Sequence, residues 1–136
     1  MRSKFLSFIL FAVFFAAIIT PAVNASNAPK KSLSYRQAEI NYINGVESDN
    51  AGLRLSSTLF LGEMKSDEAV IPLMRVLKNC DDEACRIAAA LALTKIGDPR
   101  GIYAVKKAAT YDESPRVREL TWKFYMSTVK TGAVRF

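Results

Sequence analysis

The chemistry open to this chain is narrow, because its 136 residues contain no histidine and only two cysteines. Without histidine, the chain lacks Ser-His-Asp and Cys-His nucleophile pairs, an imidazole acid or base, and imidazole metal ligands. Two cysteines are also too few for a Cys₄ zinc site. The remaining catalytic candidates are carboxylates, lysines, tyrosines and serines.

Two acidic clusters are the densest of these candidates, at residues 81–83 and 112–113. Acidic side chains interact favourably with the dipole at the start of a helix, which explains both clusters without catalysis. No glycine-containing acidic loop of the EF-hand kind surrounds them. We therefore expect a protein that is not an enzyme and has no catalytic residue, cofactor or metal.

The N-terminal residues 1–25 have the order of a secretory signal peptide. Arg2 and Lys4 precede an uncharged apolar stretch, and Pro21 and a small-residue pattern ending at Ala25 follow. We expect cleavage near Ala25 and an exported protein, periplasmic or secreted, with no integral membrane span after cleavage. A retained leader is the alternative, since the apolar stretch is just long enough to cross a bilayer.

The rest of the chain repeats itself at a constant interval without a gap, and three equally spaced arginines mark the register: Arg54, Arg86 and Arg118. Each has an acidic residue five positions earlier: Asp49, Asp81 and Glu113. The apolar spacing after each arginine is helical, and Gly97-Asp98-Pro99 predicts the end of one helix and the start of the next. The unit is therefore a helix pair, and stacked pairs cover each other's apolar faces.

The three repeat arginines have a structural interpretation. We expect each to pair with the acidic loop residue of its own or a neighbouring repeat, because function rarely requires the same residue in every copy of a solenoid. Such a pair contributes about 0–1 kcal/mol when it is exposed.

Two segments, DNAGLRLSSTLFLGEMKSDEAVIPLMRVL and DDEACRIAAALALTKIGDPRGIYAVKKA, resemble HEAT-like repeats of the phycobilisome-lyase type. The shared features are an acid-x₄-Arg start, an Ala/Leu-rich first helix, a Gly-Asp-Pro turn and an apolar second helix. The resemblance implies an all-α superhelix, a HEAT-like solenoid of about two full helix pairs with a half repeat at each end. It lies in the scaffold motif alone and so implies no lyase activity.

The domain limits follow from this pattern. We expect the repeat domain at residues 35–130, preceded by a disordered linker at 26–34 and followed by a flexible tail at 131–136. The linker is polar and basic and lacks apolar periodicity.

Cys80 and Cys85 leave two interpretations open. Export would expose them to an oxidising compartment, so a short disulfide is chemically allowed. However, Cys85 takes the repeat position filled by Leu53 and Val117, which favours two structural thiols.

The second helices of the repeats are biased towards basic residues, namely Arg75, Lys78, Lys106 and Lys107, with Tyr103 beside them. Second helices line the concave face in solenoids of this kind, so the resemblance implies a mildly basic inner surface. A charged face that contacts only solvent is the alternative. The net charge of +6 is not concentrated enough to indicate nucleic acid, so we expect a protein partner with an acidic surface.

Trp122 is the single tryptophan and takes the repeat position of Thr58 and Ala90. It either caps the core or presents an apolar contact to a partner or a second copy, because aromatic side chains are favoured at interfaces. Oligomerisation through this end is therefore possible.

Together these features predict a non-enzymatic protein-binding adaptor or scaffold that is exported and uses a HEAT-like repeat surface. The alternative is an accessory subunit or lyase-like protein that binds an acidic small molecule on the concave face.

Overall fold

The computed structural model of the protein describes residues 33–132, which form six α-helices, one short 3₁₀ helix and no strand. The α-helices are α1 (Leu33–Gly45), α2 (Ala51–Glu63), α3 (Val70–Asn79), α4 (Glu83–Ile96), α5 (Pro99–Tyr111) and α6 (Pro115–Lys130). The 3₁₀ helix, Asp67–Ala69, leads into α3. The expected all-α fold is confirmed.

Three expectations concern residues outside the described part. The signal peptide lies wholly there, as do residues 26–32 of the predicted linker and residues 133–136 of the predicted tail. None of the helices in the described range 33–132 has both the length and the apolar character needed to cross a membrane.

The helices form two layers of stacked pairs. Helices α2, α4 and α6 pack side by side in one layer, and α3 and α5 pack together in the other. Two full pairs, α2–α3 and α4–α5, are thus flanked by α1 on one side and α6 on the other. This short α-α superhelix is the expected architecture.

The first helix of each repeat begins at a capping residue in the repeat register. Asn50 Oδ1 accepts the N–H of Leu53 at 2.9 Å, and Asp82 Oδ1 accepts the N–H of Ala84 at 3.0 Å. Ser114 Oγ does the same for α6. Because these side chains satisfy backbone donors that the helix leaves unpaired, the repeat spacing fixes where each helix starts.

Helices α2 and α4 are each followed by a residue with a left-handed backbone conformation. Gly97 ends α4 with a φ of 82°, and Asp98 then caps α5 through the N–H of Arg100 at 2.8 Å. One repeat earlier the equivalent residue is Lys65, which adopts a φ of 49°. A side chain in this region is strained whereas glycine is not, so Lys65 carries a local energetic cost that its counterpart avoids.

The core lies between the two layers and depends on small residues for close packing. Leu61, Leu93 and Ile102 are fully buried there. A Cβ atom at Gly62 would lie 2.7 Å from the Cα atom of Ala92, so α2 and α4 approach each other too closely for a side chain at that point. The glycine therefore sets the distance between neighbouring repeats.

Helix α1 is joined to the end of α2 by polar contacts. Ser66 Oγ donates to the buried carboxylate of Glu39 at 2.6 Å, and the Tyr35 hydroxyl donates to the Met64 carbonyl at 2.9 Å. Tyr42 stacks on Phe60 with ring centroids 5.1 Å apart.

Each repeat arginine donates from Nη1 to the carbonyl oxygen six residues earlier. The acceptors are Ser48 for Arg54 at 2.7 Å, Cys80 for Arg86 at 2.8 Å and Asp112 for Arg118 at 2.5 Å. Cys80 and Asp112 end α3 and α5, where carbonyl groups lack helical partners. Each of these two arginines therefore joins the end of one helix pair to the first helix that follows.

Arg86 adds an ion pair with the next repeat. Arg86 is 4% exposed, and its guanidinium donates to the Asp112 carboxylate from Nε at 3.0 Å and from Nη2 at 3.1 Å. Nη2 is also 3.4 Å from the exposed Glu113 carboxylate. The hydrogen bonds of Arg54 and Arg118 described above go to backbone carbonyl groups. Asp49 and Asp81, two of the acidic residues expected to pair with the repeat arginines, are exposed. The partner acid at Asp112 was not among the acids that the repeat register singled out.

We expect the two left-handed positions to respond in opposite directions. Lys65→Gly should raise the free energy of unfolding by up to about 1 kcal/mol, and Gly97→Ala should lower it by about 1 kcal/mol, because only the alanine variant adds a Cβ atom to a left-handed residue. Urea unfolding followed by circular dichroism measures both. A stabilised Gly97→Ala variant would contradict this account.

We expect Asp112→Ala to lower the free energy of unfolding by about 3–5 kcal/mol, because it leaves the buried Arg86 guanidinium without its carboxylate. Glu113→Ala is the matched control: its side chain is 84% exposed and its loss should cost no more than about 1 kcal/mol. If Asp112→Ala lowers the free energy of unfolding by no more than Glu113→Ala does, the Arg86–Asp112 pair does not stabilise the fold.

Candidate functional site

A groove runs between the second helices α3 and α5, and we call it the α3/α5 groove. Its volume is about 370 Å³. The residues that define it are Met74, Leu77, Lys78, Tyr103, Lys107 and Tyr111. Ala104 and Ala108 of α5 also line it, and their small side chains leave the space open.

The α3/α5 groove combines an apolar floor with basic and aromatic side chains. Tyr103 is 64% exposed and Tyr111 is 77% exposed, so both rings are accessible to a ligand. Lys78 lies in the last turn of α3, and Lys107 lies one turn after Tyr103 on α5. The arrangement can therefore hold an apolar group on its floor and a carboxylate at its lysines.

Three of the six residues predicted to contact a partner line the α3/α5 groove: Lys78, Tyr103 and Lys107. The structure places Arg75 elsewhere. Its guanidinium forms an ion pair with Glu47, and both side chains line a second, more polar pocket.

The other two predicted residues, Lys106 and Trp122, both contact Tyr125 of α6. The Lys106 ammonium group is 5.7 Å from the centre of the Tyr125 ring, a cation–π distance. Trp122 contacts the same tyrosine, with ring centroids 5.9 Å apart, and remains 50% exposed. Thr58 and Ala90, its counterparts in the earlier repeats, are fully buried. Trp122 therefore lies on the open end of the first-helix layer.

Sequence reasoning missed Tyr111, the most exposed aromatic residue of the α3/α5 groove. A signal was present, because Tyr103, Lys107 and Tyr111 are each one helical turn apart and so follow one face of a helix. The apolar contributions of Met74 and Leu77 were also missed, since their spacing on α3 is that of ordinary core residues.

The acidic clusters have structural partners. Asp82 caps α4, and the Asp112 carboxylate accepts from Arg86 and from the N–H of Ser114 at 2.9 Å. Within residues 33–132, no three side chains of the metal-binding types come together. Cys80 and Cys85 are free thiols, and the disulfide stays a prediction.

Comparison with known proteins agrees with the fold. A protein-family model of HEAT repeats matches residues 42–122, which is more than half of the chain. No curated protein matches the sequence of this chain. The match is to HEAT repeats in general, and repeats of this kind generally mediate protein–protein interaction. Because its helix pairs stack as repeats and the family model matches more than half of its length, the chain belongs to the HEAT repeat family.

Proposed function

We propose that this chain is a non-enzymatic adaptor or scaffold that binds another protein in the α3/α5 groove. The observation that carries the proposal is the exposure of Tyr103 and Tyr111 beside Lys78 and Lys107, over an apolar floor. Tyrosine is among the residue types that most often contribute strongly to protein interfaces. Membership of the HEAT repeat family supports the same role.

The groove chemistry indicates the kind of partner. Two lysines at an apolar groove favour a segment that carries an acidic residue next to an apolar side chain. Charges at the rim of an interface mainly accelerate association, whereas buried aromatic contacts provide most of the affinity. We therefore assign affinity to the two tyrosines and selection of an acidic partner to the two lysines.

We also propose that the protein is exported and acts in the periplasm or outside the cell. The support is the order of residues 1–25, in which basic residues, an apolar stretch and small residues ending at Ala25 follow one another. Contact of a partner or a second copy with Trp122 is a further proposal, supported by the half-exposed indole.

A second candidate is an accessory or lyase-like protein that binds an acidic small molecule in the same groove. The volume of about 370 Å³ supports it, because small-molecule pockets start at about 300 Å³. The two candidates differ in what the groove holds when the protein is isolated from its source: a polypeptide or a small acid.

We expect substitutions in the α3/α5 groove to weaken capture of the natural partner. Tyr103→Ala should cost more than about 1 kcal/mol of binding free energy, and Lys107→Glu should reduce capture about tenfold by placing a negative charge against an acidic segment. The measurement is co-precipitation from source extracts with mass spectrometry, followed by titration of the identified partner.

Arg116→Glu is the matched control for charge. Arg116 is exposed in the first turn of α6, where a negative charge interacts favourably with the helix dipole. Partner capture that is unchanged by Tyr103→Ala and Lys107→Glu, or reduced equally by Arg116→Glu, would refute the groove as the binding surface.

A further inference from the structure

A cluster that the adaptor role does not use lies where the loop between α3 and α4 meets α2 and α4. It consists of the thiols of Cys80 and Cys85 and the guanidinium of Arg54. The Cys85 thiol lies beside both the Cys80 thiol and the Arg54 side chain. Cys85 is 2% exposed, whereas Cys80 is half-buried and borders a pocket that Arg54 also lines.

The equivalent place in the next repeat is occupied by an arginine and a carboxylate. Asp112 is the repeat equivalent of Cys80, just as Arg86 is the repeat equivalent of Arg54. In the later repeat, Arg86 Nε donates to the Asp112 carboxylate at 3.0 Å. In the earlier repeat, Arg54 Nε is buried and has no hydrogen-bond partner. The fold thus places a carboxylate at this arginine nitrogen in the later repeat, and the Cys80 thiol takes the equivalent position in the earlier one.

We propose that Cys80 and Cys85 form a reversible thiol–disulfide pair, in which Cys80, beside the Arg54 guanidinium, makes the first attack. A neighbouring guanidinium stabilises a thiolate in the same way as it stabilises a carboxylate. Arg75 lines the same pocket but is already paired with Glu47, so Arg54 is the cation that contacts the thiols.

The two sulfurs have different roles in this proposal. Burial, the largest cause, together with the contact with Cys80, raises the pKa of the Cys85 thiol to about 11, so Cys85 stays protonated near neutral pH. Cys80 is the more accessible of the two. We therefore assign the first attack to Cys80 and the second, resolving attack to Cys85.

The oxidant is a small disulfide, such as oxidised glutathione. The Cys80 thiolate attacks one sulfur of that disulfide, which forms a mixed disulfide and releases one glutathione thiolate. Cys85 then loses its proton and attacks the Cys80 sulfur, which forms the Cys80–Cys85 bond and releases the second glutathione. In total, two protein thiols lose two electrons and two protons, and the small disulfide is reduced to two thiols.

The spacing favours reversibility. Four residues separate the two cysteines, so the bond closes a small loop and restricts the unfolded chain little. A disulfide that adds little to the stability of the folded chain is readily opened by reducing thiols.

The test is reaction of the purified, reduced full-length chain with oxidised glutathione, followed by alkylation and intact mass measurement. We expect the wild type to lose the mass of two hydrogens and to retain no glutathione, and reduced glutathione to reverse this. Cys85→Ser should accumulate a stable glutathione adduct on Cys80. Cys80→Ser should react at Cys85 at least about tenfold more slowly, because that thiol is protonated and buried.

The role of Arg54 is tested in the Cys85→Ser background. Arg54→Gln should slow adduct formation about tenfold, whereas Arg54→Lys should slow it less because the positive charge remains. Arg118→Gln is the matched control, since it removes the equivalent bond to a carbonyl of the preceding loop in the last repeat. A folded state by circular dichroism is the condition for each comparison.

Three results would overturn the proposal. The first is a wild-type chain that keeps glutathione on Cys80 without forming the internal disulfide. The second is reaction that requires urea, which would mean that the folded loop keeps the sulfurs apart. The third is an Arg54→Gln variant that reacts as fast as its Arg118→Gln control.

Discussion

The buried guanidinium of Arg86 is the interaction on which the arrangement of the helices depends. It donates to the carbonyl group of Cys80 at the end of α3, and it pairs with the carboxylate of Asp112 at the end of α5. Because Arg86 belongs to α4, one side chain joins three helices from two successive repeats. The walls of the α3/α5 groove are the two helices whose ends it connects, so the shape of the groove depends on this contact.

The helices and their order could be predicted from sequence because the signals are local. Asn50, Asp82 and Ser114 occupy the same position in successive repeats and cap their helices as that register suggests. Gly97 similarly marks the end of α4 through its own backbone conformation. Lys65 adopts the same left-handed conformation one repeat earlier, where the sequence lacks the glycine signal.

The side-chain partners could not be predicted in the same way, because they depend on where helices distant in sequence come together. Arg75 has the spacing of a groove residue, yet Glu47 from the segment after α1 binds it. Lys106 and Lys107 are adjacent in sequence, but a helix turns by about 100° per residue, so one approaches α6 and the other lines the groove. The pairing of Arg86 with Asp112 likewise follows from the stacking of repeats.

The central claim is that the contacts of Arg86 hold α3 and α5 as one cooperative unit with a fixed groove between them. Native-state hydrogen exchange in increasing urea tests it directly, because it reports the opening free energy of each helix separately. The account predicts that the buried amides around Leu73 of α3 and Ile102 of α5 open with the same free energy. Amides of α5 that exchange at clearly lower urea than those of α3 would show that the repeats open independently, and would contradict it.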